Sequence, residues 1–168
     1  MKISVGAPLF ALALAVAAAG TAHAGDRSYR SATARTYYKA AVQGSADAQA
    51  RLGALFVHGD GVARSDTVAF QWLLRAADQG HPRAQLMLSE AWSNGRGVPR
   101  NHVSAYKWAY LAQANAPDQD TRDKADALLT TLTRQMSAAE IDEAKDYAAA
   151  WKPRLEVPAL AQPSVNGV

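Results

Sequence analysis

The sequence predicts an all-α protein: a short right-handed α-solenoid of antiparallel helix hairpins, closed by a C-terminal helical cap. Three observations carry this prediction. The chain matches itself when shifted by 36 residues. Each unit joins two apolar stripes of helical period through a Gly-x-Gly turn. The last two predicted helices lack that turn and therefore end the stack.

Under the shift, "LGALFVHGDGVARSDTVAFQWLLRAADQG" (52–80) falls on "LSEAWSNGRGVPRNHVSAYKWAYLAQANA" (88–116). Leu52 meets Leu88, Gly59 and Gly61 meet Gly95 and Gly97, and Trp72 meets Trp108. "KAAVQG" (39–44) also meets "RAADQG" (75–80), so a half-repeat over 28–45 precedes repeat one (46–81) and repeat two (82–117).

The elements follow in order. Helix A of repeat one begins near Ala46 behind Ser45, a residue whose hydroxyl caps an N-terminus. In repeat two it begins near Arg83, behind a proline tolerated in a first turn. The stripes Ala48, Leu52, Leu55, Phe56 and Ala84, Leu88, Ala91, Trp92 face the core, and Gly59 and Gly95 stand where a left-handed C-terminal residue is needed. Ser65 and Asn101 are N-caps for helix B, which buries Ala69, Trp72, Leu73 and Ala76, then Ala105, Trp108 and Ala112. Leu52, Phe56, Gly59, Gly61, Trp72, Leu88, Trp92, Gly95, Gly97 and Trp108 are the expected structural residues, with both Trp72 and Trp108 filling space between hairpins. Residues 118–151 form the cap: one helix with Asp118, Asp120 and Asp123 at its positive end, and another opened by the capping box "SAAE" (137–140). Residues 152–168, with Pro153, Pro158 and Pro163, are expected to be a disordered tail.

Residues 1–24 read as a cleaved secretory signal peptide, with Lys2, an apolar run and the small-x-small pattern "AHA" ending at Ala24. The folded domain is therefore expected over 25–151, in the periplasm or outside the cell, with no membrane insertion after cleavage. The chain has no cysteine, so its stability rests on its core. A net charge of +3 without any Lys/Arg run gives no support for nucleic-acid binding.

"GDG" (59–61) raises the question of a ligand loop. A calcium loop needs several oxygen ligands at alternating positions, and repeat two replaces Asp60 with Arg96. A phosphate loop needs Lys-Ser/Thr after its glycines. The stretch reads as a turn. His58, His81 and His102 lack ligand spacing, and Glu140, Asp142, Glu143 and Asp146 read as a solvated helix face. No nucleophile has a credible partner, so no catalytic residue, cofactor or metal is expected. The candidate partner-binding surface is what remains of helix A once the core stripe is removed: Ala50, Arg51, Ala54, Val57 and His58, then Leu86, Met87, Glu90, Ser93 and Asn94. Leu86 and Val57 are apolar residues off the stripe, as in a shallow peptide groove, unless the half-repeat or the cap covers them.

These residues bear a family likeness. Residues 37–116 resemble the Sel-one-like repeat family, relatives of the tetratricopeptide repeats: A-x-x-x-L-G-x-x-Y-x-x-G-x-G-V, then A-x-x-W, then A-A-x-x-G. Phe56 and Trp92 stand at the tyrosine position, Ser89 replaces the glycine matched by Gly53, and Gln113 and Ala116 depart from the closing Ala and Gly. The resemblance implies an adaptor that binds a protein or peptide. Alternatives from other classes are a hydrolase acting on envelope material and a structural subunit of an envelope assembly.

Overall fold

The computed structural model describes residues 29–155, and the expected signal peptide lies outside them. Seven helices run in chain order: α1 (Ala32–Val42), α2 (Ala46–His58), α3 (Asp66–Asp78), α4 (Pro82–Asn94), α5 (His102–Ala114), α6 (Gln119–Thr133) and α7 (Ala138–Ala150). From α1 to α6 each helix packs on the next; α6 also leans on α4, and α7 lies on α5. This neighbour-to-neighbour order is that of a solenoid.

The boundaries follow from local chemistry. Ser31, Ser45, Ser65, Asn101, Asp118 and Ser137 each accept a hydrogen bond from a first-turn N–H. Ser137 and Glu140 close the capping box reciprocally. At the other end, Gly59 and Gly95 adopt the left-handed conformation with φ of 78° and 69°, which only glycine reaches without a Cβ penalty. The second glycine of each loop makes a joint between units. Gly61 O accepts from Arg30 N (2.7 Å) and Ser31 N (3.2 Å), at the start of α1. Gly97 lies against the backbone of Asp66 and Thr67, at the start of α3. Each Gly-x-Gly loop thus leans on helix B of the preceding unit.

Two inter-repeat contacts recur with the period. Gln49 and Gln85 are fully buried, and their amides donate to Ala41 O (3.0 Å) and Ala77 O (3.3 Å), carbonyls at the end of the preceding helix. Gln49 Oε1 also accepts from Gln79 Nε2 at 2.7 Å. The counterpart of Gln79 is the shorter Asn115, whose amide turns back to Leu111 O, so Gln85 Oε1 has no partner among the described residues.

The Gly53-to-Ser89 departure is compensated locally. A Cβ on Gly53 would lie 2.7 Å from Leu73 Cγ. In repeat two Leu73 becomes Ala109, and the vacated space holds Ser89, which donates to Ala105 O at 2.6 Å. A close helix approach is kept by a different small pair.

His81 caps α4 where repeat one uses Ser45. Its Nδ1 accepts from Ala84 N at 3.3 Å, and Nε2 lies 3.7 Å from Asp47 Oδ1. Burial lowers its pKa from the ordinary 6.5, outweighing the opposing Asp47, and Arg83 adds to the lowering. Protonation removes the acceptor and places a cation at a helix N-terminus. The neutral ring's contribution is therefore complete above pH 6.5 and is lost as pH falls below that value towards the depressed folded pKa. Unfolding free energies measured across about pH 5–7 should fall towards acid in the wild type. They should fall less in His81→Ser, and parallel curves would exclude this role.

Two expectations need correction. Trp108 is 4% exposed, but Trp72 is only half-buried, with Tyr38 at its edge and the Arg75 guanidinium 4.9 Å from its ring centroid. The predicted loose tail also starts too early. Trp151 packs edge-to-face on Trp108 (6.1 Å, 73°), and Arg154 N donates to Asp78 O at 2.7 Å. Residues 151–155 thus form a strap from α7 across to the end of α3. Residues 156–168 lie outside the described range.

Candidate functional site

The predicted partner face lies on α2 and α4, and the structure divides it. Ala50 is buried with Ala77, Ala84 and Leu88. Leu86 is 6% exposed, packed with Ala112 and Ala125 and against Leu128. Neither is a surface residue, because α4 covers Ala50 and the cap helix α6 covers Leu86. The cap does more than end the stack: of the two alternatives left open for Leu86, a partner or a covering helix, it supplies the second.

Val57, Met87 and Glu90 do come together. With Asp66, Ala69, Phe70, Leu73, Ala91 and Arg96 they line a cleft between α2, α3 and α4. Its volume is about 30 Å³, roughly the share of one water molecule. Such a space seats the tip of a side chain; it is far below the several hundred Å³ of a cofactor pocket. Phe70 stands edge-on to Trp92 at 5.3 Å behind it. At the rim Arg96 and Glu90 approach to 3.7 Å. Burial raises the Glu90 pKa, opposed by Arg96 and Lys124. In the sequence Arg96 is only the residue that replaces Asp60; its place on this rim depends on how the second loop folds back.

On the same two helices but outside the cleft lining, Arg51, His58 and Asn94 are exposed, and Ala54 and Ser93 are half-buried. Arg51 pairs with Asp47 at 2.7 Å and lies 5.7 Å from the Tyr37 ring centroid. Asn94 donates its amide to Glu90 O. The arrangement is an apolar dent with a charged rim, suited to an inserted side chain and to hydrogen bonds around it.

A larger concavity, about 430 Å³, runs between α5 and α6 and is lined by Gln113, Asp126, Leu129, Thr130, Thr133 and Arg134. Gln113 donates to Asp126, and the Thr133 hydroxyl donates to Leu129 O at 2.8 Å. Gln113, Asp126 and Thr133 are thus engaged with one another or with the backbone. Among the described residues no helix is long and apolar enough to cross a membrane, and no group of three His, Asp or Glu is placed to hold a metal.

This stack of helix hairpins with Gly-x-Gly joints is an α-solenoid of helical repeats. The Sel1 repeat model matches residues 46–81 and 82–112. A Sel1 repeat protein from Oxalobacter formigenes is 34% identical with a TM-score of 0.51, over 55% of this chain and 69% of that one. The structure of c5321, a protective antigen present in uropathogenic Escherichia coli strains displaying an SLR fold, is 27% identical with a TM-score of 0.64. That match covers 70% of this chain but only 24% of the antigen. No curated protein is matched. The chain belongs to the Sel1 repeat family, whose repeats generally act in protein–protein interaction.

Proposed function

We propose that this chain is a non-catalytic interaction module, working in the periplasm or outside the cell, that binds a protein or peptide through the α2–α4 face. The observation that carries the reading is the Val57–Met87 dent with its Glu90–Arg96 rim, an apolar seat bordered by charge on an otherwise polar helix face. An anchoring side chain would enter the dent while backbone groups of the partner meet Arg51, His58 and Asn94. Small central pockets of this kind concentrate binding energy, and the polar rim gives orientation. Export rests on the pattern of residues 1–24.

Val57→Asp and Met87→Asp place a charge in the dent, at half-buried side chains that also pack against the core, so thermal melting is followed beside binding. Each is expected to weaken partner binding by at least tenfold, about 1.4 kcal/mol, with helical circular dichroism unchanged. Leu86→Asp is unsuitable for this purpose, because Leu86 is inside. Unaltered affinity in both Val57 and Met87 variants would overturn this choice of face.

A further inference from the structure

The strap is a short peptide seated on the repeat stack, and its backbone has a defined form. Trp151 stands at φ −72° and ψ 140°, the polyproline II region. Pro153 fixes its own φ at about −65° and keeps Lys152 before it out of the helical region. Aromatic-lined grooves recognise such an extended, pre-shaped segment at little ordering cost.

The seat beneath it has three parts, each from a different point of the stack. Trp108 of α5 meets the Trp151 ring edge-to-face, at 6.1 Å and 73°. Gly80, just after α3, brings bare backbone against the strap: a Cβ there would lie 3.6 Å from Trp151 and 3.7 Å from Pro153. Asp78 O, at the end of α3, accepts from Arg154 N at 2.7 Å. The last carbonyls of a helix have no partner within it, so this one offers an acceptor to an extended chain. Repeat one shows the same preference for a ring at the edge of the helix-B tryptophan, since Tyr38 stands edge-on to Trp72 at 6.3 Å and 87°. The counterpart of Tyr38 in the next unit is Leu74. The second ring therefore comes from outside the repeat, from Trp151.

The strap lies on the surface. Trp151 is half-buried, and Lys152, Pro153, Arg154 and Leu155 are exposed. We propose that the seat formed by Trp108, Gly80 and Asp78 O binds an extended partner peptide of the pattern aromatic-x-Pro, and that the strap is its resident competitor. The partner's ring takes the edge of Trp108, its proline lies against Gly80, and the next N–H reaches Asp78 O. Being tethered, the strap competes at high effective concentration, so the partner binds fully only when the strap is loosened. This seat shares no residue with the Val57–Met87 dent and does not rest on the reading of that dent.

The probe is the capped hexapeptide AWKPRL, the sequence of residues 150–155, titrated into the full-length protein. Trp151→Ala removes the competing ring and keeps Trp108. It is expected to bind the probe about tenfold or more tightly than the wild type, with NMR shifts at the Gly80 amide and the Trp108 indole. The peptide AAKPRL, which lacks the ring, should not bind. Arg154→Pro deletes the N–H given to Asp78 O and leaves Trp151 in place. It provides a second loosened strap if the first variant loses helical signal, and it too should bind AWKPRL more tightly than the wild type. Absent binding, or equal affinity for the wild type and both variants, overturns the proposal. So do equal binding of AAKPRL and shifts confined to residues away from the seat. Wild-type dimers that form at high concentration with the same Gly80 shift assign the seat to a second copy's strap and also overturn it.

Discussion

Replacing Gly97 with alanine is expected to lower the unfolding free energy by more than about 3 kcal/mol. A non-glycine residue held in the left-handed region costs of order 1–3 kcal/mol by itself, and Gly97 has φ +73°. The added Cβ would also stand 2.5 Å from the Asp66 carbonyl carbon and 2.9 Å from Thr67 N. Both are backbone atoms at the start of a helix, so no side-chain rotation relieves the clash. Gly59→Ala is the control: it has φ +78°, but its nearest neighbour is Arg64 Cβ at 3.3 Å. That change should cost about 1–2 kcal/mol, the left-handed penalty alone. Asp60→Ala, between the two glycines, should stay within about 0.5 kcal/mol. Denaturant midpoints at constant slope give the three values. Equal losses for Gly97→Ala and Gly59→Ala would mean that the loop does not press on the preceding helix.

Trp108→Ala is expected to cost roughly 3–5 kcal/mol, the range for a large aromatic removed from a packed interior. Trp108 is 4% exposed and sits in one cluster with Ala76, Leu88, Leu111 and Ala148, so its loss opens a cavity shared by α3, α4, α5 and α7. It also removes the ring on which Trp151 rests and the face over which Lys107 Nζ lies at 4.2 Å. Trp72→Ala should cost distinctly less, because Trp72 keeps one side open to solvent and borders a single cluster. The two tryptophans occupy equivalent positions in the repeat, so equal losses in urea titrations would show that position in the repeat, rather than burial, sets the energy.

That pair marks the limit of what the sequence conveys. The period, the caps at Ser45, Ser65 and Asn101, and the left-handed glycines were legible because each follows from local backbone chemistry. The burial of Ala50 and Leu86 was not, since it depends on where α4 and α6 come to rest. Periodicity identifies a helix's main stripe but is silent about a second face covered by another helix. Gln49 and Gln85 were visible as matched residues; only the turn geometry shows why a buried amide belongs there. The compensation of Gly53 and Leu73 by Ser89 and Ala109 was present in the same alignment, two exchanges at matched positions. The strap was not legible, because a proline-containing extended segment with one aromatic anchor carries no periodic signal.

The cleft at Val57 and Met87 was half legible. Val57 stood out as an apolar residue off the stripe, whereas its companions Phe70 and Arg96 come from α3 and the second loop. Sequence spacing along one helix cannot bring three elements together.

The central claim is that the α2–α4 face is where a partner sits. A photo-crosslinking residue placed in turn at Arg51, His58 and Asn94 on the exposed side of α2 and α4, and at Asp142 and Lys145 on the exposed side of α7, tests it in intact cells. The account predicts one common adduct from the three positions on α2 and α4, none from α7, and loss of that adduct on adding Val57→Asp. An adduct formed equally from α7, or one that persists with Val57→Asp, would contradict it.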